Sequence, residues 1–110
     1  MKKFSLVAVA RAQLERASES TGGQAADTVV GGHERVLRQT VVGLTAGTVQ
    51  SEHELRGEAT IYVLWGRVRV VAGDVTWDAL AGDLLIVPDE RHHVEALEDS
   101  AILLTVAMPR

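Results

Sequence analysis

Residues 51–66, SEHELRGEATIYVLWG, set a charged stretch directly against an apolar one. The first half carries His53 with Glu52, Glu54 and Glu58; the second is a β-branched and aromatic run closed by Gly66. Alternation in this run places Ala59, Ile61 and Val63 on one face of a predicted strand. A histidine among carboxylates at the start of a strand looks like half of a metal site. The other half must converge on it from elsewhere in the chain.

The neighbouring segments have the same strand character. RVRVVAGDVTWDAL, residues 67–80, alternates Val68 and Val70 with Arg67 and Arg69 and turns at Ala-Gly-Asp, which predicts a hairpin. ERVLRQTVVGL, AGDLLIVP, HHVEAL and AILLTVAM are further short runs bounded by glycine, proline or polar turns. No helical period separates them, so an antiparallel sandwich or barrel is expected and a parallel α/β sheet is not. The one helix is predicted over residues 5–19. Ser5 can cap it, and Leu6, Ala10, Leu14 and Ala17 form its apolar face. STGGQAAD ends it, with Gly22 and Gly23 as the breaker. The expected organisation is an N-terminal helix and arm over residues 1–27 and a barrel over residues 28–110.

The totals narrow the chemistry. With 110 residues, one domain with a real core is expected. The chain has no cysteine, which removes disulfides, thiolate metal sites and a cysteine nucleophile. A net charge of −4 and the lack of a basic run beyond Lys2 and Lys3 argue against nucleic acid as partner. The apolar stretch of MKKFSLVAVARA before Arg11 is at the short limit for a secretory leader and reads better as the start of a helix, and no run approaches a membrane span. A soluble, cytoplasmic protein is expected. No phosphate-binding glycine loop, nucleophile elbow or helix-turn-helix stands out.

Two spacings point to a family. Gly47, then His53 after five residues, then the closing Gly66 match the first motif of the cupins: Gly, five residues, His-x-His, three or four residues, Glu, six residues, Gly. GDLLIVPDERHH supplies Gly82, Pro88 and a histidine pair for the second motif: Gly, five residues, Pro-x-Gly, two residues, His. Residues 47–93 carry the motifs, and the likeness extends over residues 36–108. The chain thus resembles small bacterial cupins. That resemblance implies an all-β double-stranded β-helix, a jelly-roll barrel, with one N-terminal α-helix. It does not fix an activity, because this fold hosts isomerases, dioxygenases, decarboxylases, sensors and storage proteins.

A metal-binding cupin commonly takes two histidines and a glutamate from the first motif and one histidine from the second. His53 fits the first position, but Leu55 stands at the second histidine and Ala59 at the glutamate. Glu58 is one residue early, which in a regular strand turns it to the opposite face. Glu90 replaces the glycine of the second motif. Motif spacing selects His93 as its histidine and the downstream match selects His92; the latter is preferred here. The candidate metal ligands are therefore His53, His92, His93 and Glu58. The candidate pocket residues are His53, His92, Ala59, Ile61, Val63, Val68 and Val70.

The expected function is a small-molecule pocket in the barrel beside a degenerate metal site. The alternative is a divalent-metal-dependent enzyme, of oxygenase or isomerase type, acting on a small metabolite through His53 and His92 or His93. A third reading is a partner protein assembled through its sheet faces. A transition-metal cofactor is not favoured; the expected partners are a small-molecule ligand and a second copy in a homodimer. Tyr62, Trp65 and Trp77 are expected on outer surfaces or at a subunit contact. Arg38 is expected in an outward ion pair, with an inward role anchoring an anion as the alternative; His33 is expected in a loop, with a place across the barrel mouth as the alternative.

Overall fold

The computed structural model describes residues 1–53, 57–87 and 90–108, with residues 51–53 described for their backbone alone. The chain forms one helix, α1 (Leu6–Glu19), followed by β1 (Gln24–Val30), β2 (Leu37–Leu44), β3 (Val49–His53), β4 (Ala59–Trp65), β5 (Arg67–Ala72), β6 (Val75–Leu80), β7 (Leu84–Ile86), β8 (His92–Ala96) and β9 (Ser100–Ala107). Strands β1-β2-β9-β4-β7 make a five-stranded sheet and β3-β8-β5-β6 a four-stranded one. Every pairing is antiparallel. This is the antiparallel two-sheet barrel expected from the strand spacing, and the double-stranded β-helix that the cupin resemblance implies.

The chain changes sheet at every join except β1–β2 and β5–β6. Joined in this way, the two sheets face each other and bury a common apolar layer. Val42 and Leu44 on β2, Ile61 and Val63 on β4, and Ile102 on β9 meet Val68, Val70, Ala79, Val94 and Ala96 from the other sheet. Each branched side chain fully removed from water contributes about 1.5–3 kcal/mol. Alternation along β5 puts Arg67 and Arg69 outside, where Arg69 forms a two-point ion pair with Asp78 at 2.7 and 3.1 Å. The hydrogen bond from Arg69 holds the Asp78 carboxyl below its ordinary range.

The helix begins at Ser5, whose hydroxyl accepts from the Ala8 amide at 3.3 Å. It lies on the outer face of the five-stranded sheet, over β1 and β2. Ala10 packs there against Val41 and Ala101, with Leu6, Leu14 and Leu64 around them. Gly43 permits the approach: a Cβ there would sit 2.6 Å from the carbonyl carbon and oxygen of Gln13. Gln13 is buried by this contact and satisfied by Arg16, whose guanidinium donates to its side-chain oxygen at 3.0 Å.

Two elements differ from expectation. β1 begins at Gln24, within the segment expected to be an arm, and pairs along β2 from Gln24↔Leu44 to Val30↔Gln39. QAADTVV has weak strand character by itself, and the ladder to β2 decides its conformation. β3 is an additional strand with a register shift between Gln50 and His53. Among the described residues no helix is long and apolar enough to cross a membrane. Gly43→Ala forces the helix backbone off the sheet. It is expected to cost about 1–3 kcal/mol in urea unfolding; a loss within error of zero would mean that the helix is not held at Gly43.

Candidate functional site

The register fixes which end of the barrel is open. The β4–β5 corner at Gly66 closes one end, beside Leu44 and Ser100. Both strands run away from that corner, so Ala59 and Ala72 lie at the other end. Ala59 pairs with Val106, and Val106 with Arg38, giving one row across the five-stranded sheet. On the opposite sheet β8 ends at the same side with His92, the Cα partner of His53. The sheet joins at β2–β3 and β6–β7 set β8 across from β2 and β9, as the shared packing of Val42, Ile102, Val94 and Ala96 requires.

His92 is 3% exposed and alternates inward with Val94 and Ala96, both core residues. Its Nδ1 lies 3.2 Å from the Glu90 carbonyl oxygen. A carbonyl only accepts, so in this contact Nδ1 is the donor, and in the neutral ring Nε2 then keeps its lone pair. Among the described residues Nε2 has no hydrogen-bond partner. His93 takes the alternate face, opposite Val71, and cannot join His92 in one site. Ile61, Val63, Val68 and Val70 are buried within the packed core, and Ala59, 5% exposed, is the inward residue nearest the open end on β4.

Glu58 precedes β4; it is exposed, and its carbonyl accepts from the Ala107 amide at 2.9 Å. It borders an open groove of about 540 Å³ with Ala59, Thr60, Ile86 and Val87. The side chains of Glu52 and His53, and all of Glu54, Leu55 and Pro88, lie outside the described residues.

Two side chains stand elsewhere than expected, and His33 lies in a loop as expected. Arg38 shares a row with Val106 and Ala59, which places it on the inner face, and it has no ion pair among the described residues. Trp77 pairs with Val70 on the edge strand β6 and so belongs to the inner face as well, 38% exposed. His33 lines a cavity of about 440 Å³ with Arg35, Arg38 and Met108. Tyr62 and Trp65 are exposed on the outer side of β4. Trp65 borders a second, apolar cavity of about 460 Å³ between α1 and β4, with Val7, Ala10 and Leu14.

The described inner-face residues do not by themselves supply a catalytic metal's ligand set, and the side chains of His53, Glu52 and Glu54 lie outside them. On the inner face β4 offers the methyl group of Ala59 where a carboxylate is needed, and β8 offers one imidazole. Among the described residues no three His, Asp or Glu side chains converge. Catalytic zinc keeps three protein ligands, and non-haem iron takes two histidines and a carboxylate. The buried imidazole is a hydrogen-bonding group at the end of the apolar core. His92→Leu removes the bond to Glu90 and is expected to cost about 1 kcal/mol, whereas His93→Leu on the outer face costs less. Urea unfolding of both variants checks this, and equal losses would contradict the assignment of faces.

The sequence matches no protein-family model, and no curated protein matches it. Solved structures do match. A cupin superfamily protein from Desulfitobacterium hafniense superposes with a TM-score of 0.71 at 18% identity, over 78% of each chain. An RmlC-like cupin from Desulfovibrio desulfuricans superposes with a TM-score of 0.67 at 27% identity, over 76% of this chain and 81% of the other. A variant of salicylate 1,2-dioxygenase from Pseudoaminobacter salicylatoxidans has a TM-score of 0.77 at 22% identity; the match covers 96% of this chain but 34% of that enzyme. The two facing antiparallel sheets, the glycine corner and these likenesses together make the chain a cupin by fold, of the small RmlC-like kind.

Proposed function

We propose that this protein binds a small organic molecule at the open end of its cupin barrel without a metal ion. Ala59 carries the reading: it occupies the inward position where a ligating glutamate would stand, and no described carboxylate replaces it. Below it Ile61, Val63, Val68 and Val70 fill the barrel as apolar core, which confines the proposed pocket to the open end. A pocket of this kind takes an apolar body and orients it with a few polar groups. His92 supplies one: in the neutral ring that donates Nδ1–H to Glu90, Nε2 accepts a hydrogen bond from a ligand hydroxyl or amine.

Self-association belongs to the same proposal. The helix covers β1 and β2 and leaves the outer face of β4 and β7 bare, with Ile86 83% and Leu84 61% exposed beside Tyr62. A second copy related by a two-fold axis would cover this face with the same residues from each subunit. The solution mass is expected to be that of a dimer at micromolar concentration, and of a monomer in Ile86→Lys. A monomeric wild-type protein would remove the dimer from the account.

Metal analysis tests the central reading. The purified protein is expected to carry no stoichiometric metal, and added Fe, Mn, Ni, Zn or Cu is expected to leave its thermal midpoint unchanged. An ion that binds the folded state must raise that midpoint. One equivalent of bound metal that disappears in His92→Ala would overturn the metal-free reading in favour of a metal-dependent enzyme.

A further inference from the structure

We propose that the cavity between the 31–36 segment and β2 is an oxyanion site that anchors the carboxylate of a small organic acid. The position of Arg38 leads to this. β2 pairs with β9 so that Arg38 faces the barrel from the same cross-strand row as Val106 and Ala59. At a spacing of about 4.8 Å per strand, Arg38 stands roughly 10 Å from Ala59. A fixed positive charge therefore sits on the same rim where the metal-ligand carboxylate is absent.

The cavity of about 440 Å³ is lined by Gly32, His33, Glu34, Arg35 and Arg38, with Met108 on the apolar side. Neither guanidinium is ion-paired among the described residues, although Glu34 borders the same cavity. Glu34 folds back over Gly32, whose φ of 120° lets the segment turn there; a Cβ on Gly32 would meet the Glu34 carboxyl oxygens at 3.2 Å. Two guanidinium groups against one carboxylate leave a single positive charge, which matches a monoanion better than a phosphate dianion. The planar fork of arginine presents paired N–H donors to both oxygens of a carboxylate. His33 adds a further hydrogen-bonding ring at the edge.

Beyond Arg38, the row continues with Val106 and Ala59, both buried and apolar. The acid that fits has its carboxylate at Arg38 and a compact apolar body directed at Ala59. This part of the inference rests on the proposed barrel pocket; the oxyanion site at Arg38 does not.

Four probes separate the two claims: benzoate, its neutral analogue benzamide, acetate and inorganic phosphate. Each is titrated into wild type, Arg38→Gln, Arg35→Gln and, as an outer-face control, Arg69→Gln. Benzoate is expected to bind wild type and Arg69→Gln alike, and about tenfold or more weaker in Arg38→Gln, the loss for a charged hydrogen bond. Added salt is expected to weaken it, and benzamide to bind less tightly than benzoate. Equal benzoate affinity in Arg38→Gln would overturn the oxyanion site. Benzamide binding as tightly as benzoate in both proteins would overturn that site while leaving the barrel pocket standing. Acetate binding that depends on Arg38, with benzoate no tighter than acetate, would overturn the pocket and leave the oxyanion site. Phosphate binding in place of benzoate would overturn the assignment to a carboxylate.

Discussion

The chain passes from one sheet to the other at Gly66, a single residue between β4 and β5. Its φ of 81° is one that a side chain disfavours, and a Cβ there would run into the Asp99 carbonyl and Ser100. Ser100 is fully buried and ties the corner to β9. Its hydroxyl accepts from the Arg67 amide at 3.0 Å and lies within reach of the Arg67 and Glu98 carbonyls. The Ala81 amide adds a bond to the Gly66 carbonyl at 3.1 Å. Three turns are thereby locked at one end of the barrel, and the registers of β4, β5 and β9 follow. A slip by one residue would turn every side chain on a strand to the other face. The placing of Ala59, Arg38 and His92 at the open end is a consequence of this corner.

Most of the fold is legible in the sequence because its signals are local. Glycines punctuate the turns, Val68 and Val70 alternate with arginines, and Ser5 announces the helix. What is not legible depends on partners distant in sequence. On β2, the row of Arg38, Thr40, Val42 and Leu44 and the row of Leu37, Gln39, Val41 and Gly43 both mix polar and apolar residues. Neither row declares itself as the inner face. The helix is the reason, since it makes an apolar outer surface at Val41 necessary. The ladder to β9 settles the matter and turns Arg38 inward. Trp77 was obscured in the same way: an aromatic residue among Thr76 and Asp78 reads as surface until its partner proves to be Val70.

The site is read from the same registers. The motif spacing finds Ala59 and the histidine pair, and the structure assigns His92 to the inner face and His93 to the outer one. The cationic cavity was only half visible: His33 could be named as a group near the mouth, but its company with Arg35 and Arg38 depends on how the 31–36 segment folds. The resulting barrel is apolar at its closed end and hydrogen-bonding at its open end, with Arg35 and Arg38 in the cavity at its rim. Such a gradient suits a small acid held by its charge and sheltered by its hydrocarbon.

Direct observation of the His92 ring tests the central claim. Long-range proton–nitrogen NMR correlations report the state of both imidazole nitrogens while one equivalent of Zn²⁺ is added. The account predicts a proton on Nδ1, held by the Glu90 carbonyl, and an Nε2 resonance that zinc leaves in place. A stoichiometric shift of the Nε2 resonance on adding zinc, the mark of coordination, would contradict it.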